Sequence, residues 1–155
     1  METAFLAVSI EICSKTISIA EFGIKNGGSL LMWNEYFKEV IIYGFDCNVS
    51  IIENFKKKYK HENIHLSLID QSIFLKMNEI YDIIIDNRIN KLEDQILAIE
   101  NAHQYLKPGG LLVIENISKT YKECDYLNIL GDSLTHFQSY YFVSINSNFI
   151  EGDNK

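Results

Sequence analysis

Residues 17–29 read ISIAEFGIKNGGS, a short apolar run followed by a glycine-rich turn. The run Ile17–Phe22 is rich in β-branched residues and has the length of a strand. A helix-length segment follows at Ser29–Phe37, and the same alternation then repeats along the chain. Strand and helix in regular alternation predict an α/β fold with a parallel sheet and right-handed crossovers. Further strands are predicted at 40–45, 64–69, 81–85, 111–114 and 140–145, and further helices at 49–59, 92–106 and about 125–134.

Two of the predicted strands contain stretches that are apolar at every position, Ile83–Ile85 and Leu111–Ile114. Such runs suit strands that helices cover on both faces. We therefore expect a Rossmann-like, doubly wound, mostly parallel sheet with helices on both of its faces. The helix over 92–106 is predicted to end at Lys107–Gly110, because proline removes a backbone donor and glycine relieves a tight turn.

The length, composition and net charge of the chain limit which kinds of protein it can be. Its 155 residues, 47% of them apolar, suit a single domain over 1–155 with a core at about 17–146. With 14 basic and 21 acidic residues the net charge is −7, which argues against a nucleic-acid partner. The three cysteines lack zinc-site spacing. No uncharged run reaches the roughly 18–20 residues that span a membrane, and the first residues lack the basic start of a signal peptide. We expect a cytoplasmic protein without a membrane partner.

Five predicted strands end in loops that carry a carboxylate at or next to the strand end. In doubly wound sheets, ligands bind beyond these ends, near the point where the strand order reverses. A carboxylate there can instead cap the helix that follows. Five such carboxylates on one edge of the sheet favour a ligand site. The loops are 21–29, 46–48, 70–72, 86–90 and 115–119.

The first three loops suit the parts of a nucleoside ligand. Glycines in the first loop allow close backbone approach, but Lys25 stands where the dinucleotide motif G-x-G-x-x-G needs a glycine. Glu21, before these glycines, favours a cationic group such as an amine. Asp46 can bind both hydroxyls of a ribose, or cap the next helix. The triplet Asp70-Gln71-Ser72 offers donors and acceptors to an adenine edge, or again a helix cap.

Six motifs, in this order and spacing, resemble a known family. They are GGSLLMW at 27–33, IYGFD at 42–46, DQS at 70–72, DIIID at 82–86, LKPGGL at 106–111 and VIEN at 113–116. Together they resemble the class I S-adenosylmethionine-dependent methyltransferases that O-methylate sugars on macrolides, and the related cephalosporin-hydroxylase-like proteins. The resemblance covers about 17–121 and implies S-adenosylmethionine as the cofactor. It implies that Glu21, Gly23, Gly27 and Ser29 hold the methionine part, that Asp46 binds the ribose, and that Asp70 with Gln71 faces the adenine.

The chain departs from this family after its fourth and fifth predicted strands. Metal-dependent members hold Mg²⁺ there with carboxylates and use a histidine as general base. The matching metal positions here are Asn87, Glu115 and Asn116, and the matching base position is Asn90. Mg²⁺ prefers carboxylates, and asparagine cannot accept a proton near neutral pH, so we expect Mg²⁺ binding to be weak or absent. Asp86 is retained and is the candidate substitute base, or it merely closes the cofactor pocket.

The resemblance implies methyl transfer to a hydroxyl of a sugar or glycan, achieved mainly by positioning donor and acceptor. The acceptor is then a small molecule or a glycan. The alternative is a catalytically silent, methyltransferase-like binding protein, since the metal and base positions carry asparagine. The spacing of the glycines argues against a third interpretation, a nicotinamide-dependent oxidoreductase.

The end of the chain bears on the sheet edge. This fold usually finishes with antiparallel C-terminal strands, and residues 140–146 supply the first of them. Residues 149–155 are short and polar for a second. A poorly finished sheet edge invites pairing with another copy, so a homo-oligomer is possible.

Overall fold

The computed structural model describes residues 2–8, 16–69, 77, 79–88, 91–117 and 120–145. These residues form seven strands, four α-helices and two short 3₁₀ segments. The strands are β1 Glu2–Val8, β2 Ile17–Phe22, β3 Val40–Asp46, β4 Ile64–Leu68, β5 Tyr81–Asp86, β6 Leu106–Ile114 and β7 Ser139–Ile145. The helices are α1 Gly28–Tyr36, α2 Val49–Lys58, α3 Leu92–Ala102 and α4 Glu123–Leu130, and the 3₁₀ segments are His103–Tyr105 and Gly131–His136.

One sheet contains all seven described strands, in the order β4-β3-β2-β5-β6-β1-β7. The five strands from β4 to β6 are parallel. The chain starts this parallel part at β2, moves outward through β3 and β4, and then crosses to β5 on the other side of β2. The point where the order reverses therefore lies between β2 and β5, where ligand sites of such sheets occur. The predicted Rossmann-like fold class is confirmed.

The antiparallel neighbour of β7 comes from the start of the chain. Strand β1 lies between β6 and β7 and runs antiparallel to both, pairing Phe5 with Ile114 and Val8 with Ser139. The sheet therefore includes residues before the predicted core of 17–146. The predicted second C-terminal strand at 149–155 lies outside the described residues.

The start of β6 differs from its prediction. Helix α3 ends at Ala102 rather than Leu106, and β6 begins at Leu106, so Lys107–Gly110 lies inside the strand. The pairing of β5 with β6 is irregular here, because Tyr81 faces Leu106 whereas Ile83 already faces Leu111. Gly109, with φ of 85°, provides the backbone conformation of this irregularity. The predicted helix-ending turn is therefore wrong, because proline and glycine interrupt the ladder locally without ending the strand.

Hydrophobic cores cover both faces of the parallel sheet. Strand β5 is buried at all six positions. Its Ile84 packs with α3 and α4 on one face, and its Ile83 and Ile85 pack with α1 and α2 on the other. This alternation places successive side chains on opposite faces, and it confirms the prediction that helices cover both sides.

Within the described part of the chain, no helix combines the length and the apolar character that crossing a membrane requires.

Candidate functional site

Carboxyl-terminal strand ends and the loops that follow them form one edge of the sheet, which we call the rim. Backbone hydrogen bonds join its loops: Gly23 N–H donates to Phe45 O at 2.8 Å, and Asn87 N–H donates to Phe22 O at 2.8 Å. Glu115 N–H donates to the carbonyl of Asp86 at 2.8 Å. These bonds follow from the parallel register, because strands in register end at the same level.

Most of the predicted site residues lie together on the rim. Glu21, Asp46 and Asp86 are buried there, at 1%, 8% and 4% exposure. Asp70, Gln71 and Asn90 lie outside the described residues, so their predicted roles stay predictions.

The glycine turn is closely packed against its surroundings. Gly23 and Gly27 have φ of 82° and 76°, a left-handed conformation that side-chain-bearing residues rarely adopt. A Cβ atom on Gly23 would lie 2.7 Å from the backbone oxygen of Asn87. A Cβ atom on Gly27 would overlap the ring of Phe55. The glycines therefore let the turn pack against the β5 loop and helix α2.

Glu21 is the chemically most unusual group of the rim. Its Oε1 accepts a hydrogen bond from Ser29 Oγ. Its Oε2 is buried and has no hydrogen bond of normal geometry among the described residues, although the Trp33 indole N–H, itself without such a bond, lies close enough to act on the carboxylate. Burial raises the pKa of Glu21 to about 7 and the charge of Glu115 adds to this, whereas Ser29 and Trp33 oppose it. A buried acceptor without a donor fits a cationic ligand group, which would supply both the charge and the missing hydrogen bond.

Asp46 is not the cap of helix α2. Its Oδ1 accepts the N–H of Asn48 at 2.9 Å, and it is Asn48 Oδ1 that accepts the N–H of Ser50 at 3.0 Å at the helix start. The alternative role of Asp46 as the N-cap is therefore wrong. No hydrogen bond from a described residue reaches Asp46 Oδ2, so this oxygen is available to a ligand hydroxyl.

Asp86 is held in an ion pair. Arg88 donates from Nε to Oδ1 and from Nη2 to Oδ2, both at 2.8 Å, and its backbone N–H donates to Oδ1 at 3.1 Å. Burial works to lower the pKa of Arg88, but the hydrogen bonds and charge of Asp86 outweigh it and the pKa is raised. The guanidinium also lies over the Phe22 ring, 5.5 Å from its centroid. A catalytic role for Asp86 stays a prediction, and this ion pair opposes it because both carboxylate oxygens already accept from Arg88.

The predicted metal positions meet, but as an amide cluster. Asn116 Nδ2 donates to Asn87 Oδ1 at 2.6 Å, and Lys25 Nζ donates to the same oxygen at 2.8 Å. The charge of Glu115 acts on nearby Glu21. In the described part of the chain, no group of three or more histidine, cysteine or acidic residues could hold a metal ion. An oxygen that already accepts from an amide and an ammonium does not fit Mg²⁺, which needs anionic oxygen ligands.

Two buried side chains, Gln95 and Tyr126, form hydrogen bonds that stabilise the loop of Asn116. Tyr126 donates to Gln95 Oε1 at 2.7 Å, and Gln95 Nε2 donates to the carbonyl of Asn116 at 3.2 Å. The loop residue Asn116 has φ of 56°, a left-handed conformation that asparagine adopts more readily than most residues, and the hydrogen bond from Gln95 fixes its carbonyl.

Sequence reasoning assigned no role in the site to four of the residues that organise it. They are Lys25, Arg88, Gln95 and Tyr126. Arg88 had a local signal, since it stands two positions after a rim carboxylate. The pairing of Gln95 with Tyr126 had none, because 31 residues separate the two in sequence.

The fold and this site define an α/β protein with a Rossmann-like, doubly wound sheet and an acidic rim. The chain belongs to the methyltransferase-domain family, whose family model matches residues 15–149. The resemblance to class I methyltransferases is thereby confirmed.

Similar proteins extend this finding. A curated relative, 8-demethyl-8-alpha-L-rhamnosyl tetracenomycin-C 2′-O-methyltransferase of Streptomyces olivaceus, is 27% identical over 120 residues. The match covers 69% of this chain and 30% of that relative, so the chain spans about a third of its length.

Two solved structures share the fold. PKMT2 of Rickettsia typhi in complex with AdoHcy has a TM-score of 0.56 and 22% identity, covering 64% of this chain and 20% of that one. CalS10, a SAM-bound amino pentose methyltransferase of Micromonospora echinaspora, has a TM-score of 0.53 and 15% identity, covering 64% of this chain and 42% of that one. At these identities the likeness shows the fold alone.

Proposed function

We propose that this chain binds S-adenosylmethionine on its rim and transfers the methyl group to a hydroxyl of a sugar or glycan. The observation that carries the cofactor is Glu21 Oε2, a buried carboxylate oxygen without a donor beside a glycine turn. The observation that supports the acceptor is the relative whose name describes 2′-O-methylation of a rhamnosyl group.

In this proposal, each rim residue binds a different part of the cofactor. Glu21 binds the α-ammonium, and Ser29 keeps the carboxylate oriented through its hydrogen bond to Oε1. Asp46 binds the ribose hydroxyls through Oδ2, while Asn48 holds Oδ1. Asp70 with Gln71 faces the adenine.

When bound, the cofactor supplies an activated methyl group on a sulfonium. The residues of this chain contribute by holding donor and acceptor in line, which alone accounts for a large part of such rate enhancements. Arg88 forms an ion pair with Asp86 on the rim, and Asn87 and Asn116 are joined by a hydrogen bond in the loops that follow β5 and β6. The acceptor hydroxyl loses its proton to solvent water as the methyl group leaves the sulfur, since both oxygens of Asp86 already accept from Arg88.

Titration calorimetry with S-adenosylhomocysteine tests the proposal. We expect micromolar binding by the unmodified protein and at least about tenfold weaker binding by Asp46→Asn, because hydrogen bonds to a charged group are each worth about 1.5–3 kcal/mol. Asp132→Asn is the matched control, since Asp132 is exposed and lies on the 3₁₀ segment before β7. This variant should bind as the unmodified protein does. Absence of binding by the unmodified protein would contradict the proposal.

A catalytically silent binding protein is the second candidate. The observation that favours it is the cluster in which Asn87 and Asn116 bond to each other, because an amide neither holds Mg²⁺ well nor accepts a proton.

Restoring acidic and basic groups distinguishes the two candidates. The triple variant Asn87→Asp, Asn90→His, Asn116→Asp should bind Mg²⁺ more tightly than the unmodified protein does, because two new carboxylates would join Glu115 on the rim and make three. Methyl transfer to a glycan extract is measured in parallel. Activity of the variant alone, dependent on Mg²⁺, would support the silent protein. Equal activity of the unmodified protein, without Mg²⁺, would support the methyltransferase.

A further inference from the structure

Lys25 adopts a backbone conformation that needs an explanation. Lys25 and Asn116 are the two non-glycine residues with positive φ in the described part of the chain, at 50° and 56°. Both donate to the same atom, Asn87 Oδ1, at 2.8 and 2.6 Å. Such conformations persist where the surroundings determine them, and they cluster at ligand sites. The strained backbone and the shared acceptor together hold the Lys25 ammonium at one place on the rim.

The Lys25 ammonium has more hydrogen-bond donors than its contact with Asn87 uses. A lysine ammonium has three donors, and the hydrogen bond to Asn87 uses one of them. Lys25 is exposed and forms no ion pair with any residue that the structure describes. Two N–H groups and the full positive charge are therefore available to an anionic ligand group.

Glu21 provides the complementary charge nearby. Lys25 acts electrostatically on Glu21, although the two groups form no ion pair. Glu21 Oε2 is buried without a donor, whereas the Lys25 ammonium reaches solvent. The rim thus presents a buried carboxylate and an exposed ammonium that do not pair with each other. An α-amino acid carries the opposite arrangement, an ammonium and a carboxylate on one carbon atom.

We propose that Lys25 binds the carboxylate of the amino-acid part of the cofactor while Glu21 binds its ammonium. This proposal rests on the proposed function, because the ligand is the same S-adenosyl compound. Lys25 occupies a position where the dinucleotide motif would require glycine. The proposal gives this residue the role of recognising one group of the ligand. Asn87 is then a positioning residue, since it fixes the ammonium through Oδ1.

Two ligands and three variants test this assignment by calorimetry at low salt. S-Adenosylhomocysteine carries the carboxylate, and its decarboxylated analogue carries only the amine. Lys25→Met should weaken binding of S-adenosylhomocysteine about tenfold and change binding of the analogue by less than about twofold. Lys25→Arg keeps the charge and should retain most of the affinity. Lys38→Met is the matched control, because Lys38 is exposed and precedes β3 at the opposite edge of the sheet.

Other binding results would contradict either the role of Lys25 or the proposed function. If Lys25→Met weakens both ligands equally, or neither, Lys25 does not bind the carboxylate and the assignment is overturned. If the unmodified protein binds neither ligand, the proposed function itself fails. A loss in Lys38→Met equal to that in Lys25→Met would show a general charge effect and would also overturn the assignment. Thermal melting of each variant confirms that it is folded.

Discussion

Glu21→Gln should weaken S-adenosylhomocysteine binding about a hundredfold at about pH 8, because losing one partner of a buried charge pair costs about 2–5 kcal/mol. The carboxylate is buried, and Ser29 satisfies only one of its two oxygens. The amide has the same shape and keeps an acceptor for Ser29, but it has no charge for an ammonium. Titration calorimetry of the two proteins measures the difference.

The same group sets the pH dependence of binding. Burial raises the pKa of Glu21 to about 7, so the free protein is increasingly protonated below that pH. Only the carboxylate pairs with an ammonium, and affinity should therefore rise with pH up to about 7 and then level off. Glu21→Gln should lose this rise. A variant that kept the same pH profile would contradict the role of Glu21, and Glu123→Gln, on the exposed first turn of α4, is the control.

Stability of the free protein should change in the opposite direction. The pKa of Glu21 is higher in the folded protein than its ordinary value of 4.5, so the folded state holds a proton that the unfolded state releases between these pH values. Stability should therefore fall as pH rises from about 4.5 to about 7, by up to about 3 kcal/mol. Denaturation at several pH values measures it, and Glu21→Gln should show a smaller fall.

Gly23→Ala should destabilise the protein by about 4 kcal/mol. Left-handed backbone costs a residue with a Cβ about 1–2 kcal/mol, and overpacking adds about 1–3 kcal/mol. The new Cβ would lie 2.7 Å from the backbone oxygen of Asn87, an atom that cannot rotate away. Asn87 is itself bonded to Phe22, Lys25 and Asn116, so the loop resists displacement. Urea denaturation measures the loss.

Gly131→Ala adds a Cβ without overpacking. Gly131 has φ of 44° and ψ of −118°, outside the left-handed helical region, and a Cβ atom there would meet nothing within 4 Å. This variant should lose about 1–3 kcal/mol, from the backbone conformation alone. A loss of only about 1–2 kcal/mol in Gly23→Ala would show that the close approach of the glycine turn to Asn87 does not contribute.

The parallel strands and their helices were predictable because their signals are local. Strand β2 was predicted at its observed bounds, and α2 to within one residue. The gathering of Glu21, Asp46 and Asp86 on one rim was predictable too, since parallel strands in register end at the same level. The segment Lys107–Gly110 was misassigned because proline and glycine mark interruptions without showing whether a strand continues beyond them.

The sequence by itself determined the parallel strands, their covering helices and the acidic rim, because hydrophobic periodicity and strand-end carboxylates are visible among neighbouring residues. Only the tertiary structure placed β1 between β6 and β7, since such pairing depends on backbone bonds between distant segments. Only the tertiary structure brought Lys25 and Asn116 into contact with Asn87, from which they are 62 and 29 residues away in sequence. Side-chain hydrogen bonds over such separations depend on register and rotamer, and these are decided when the whole sheet is packed.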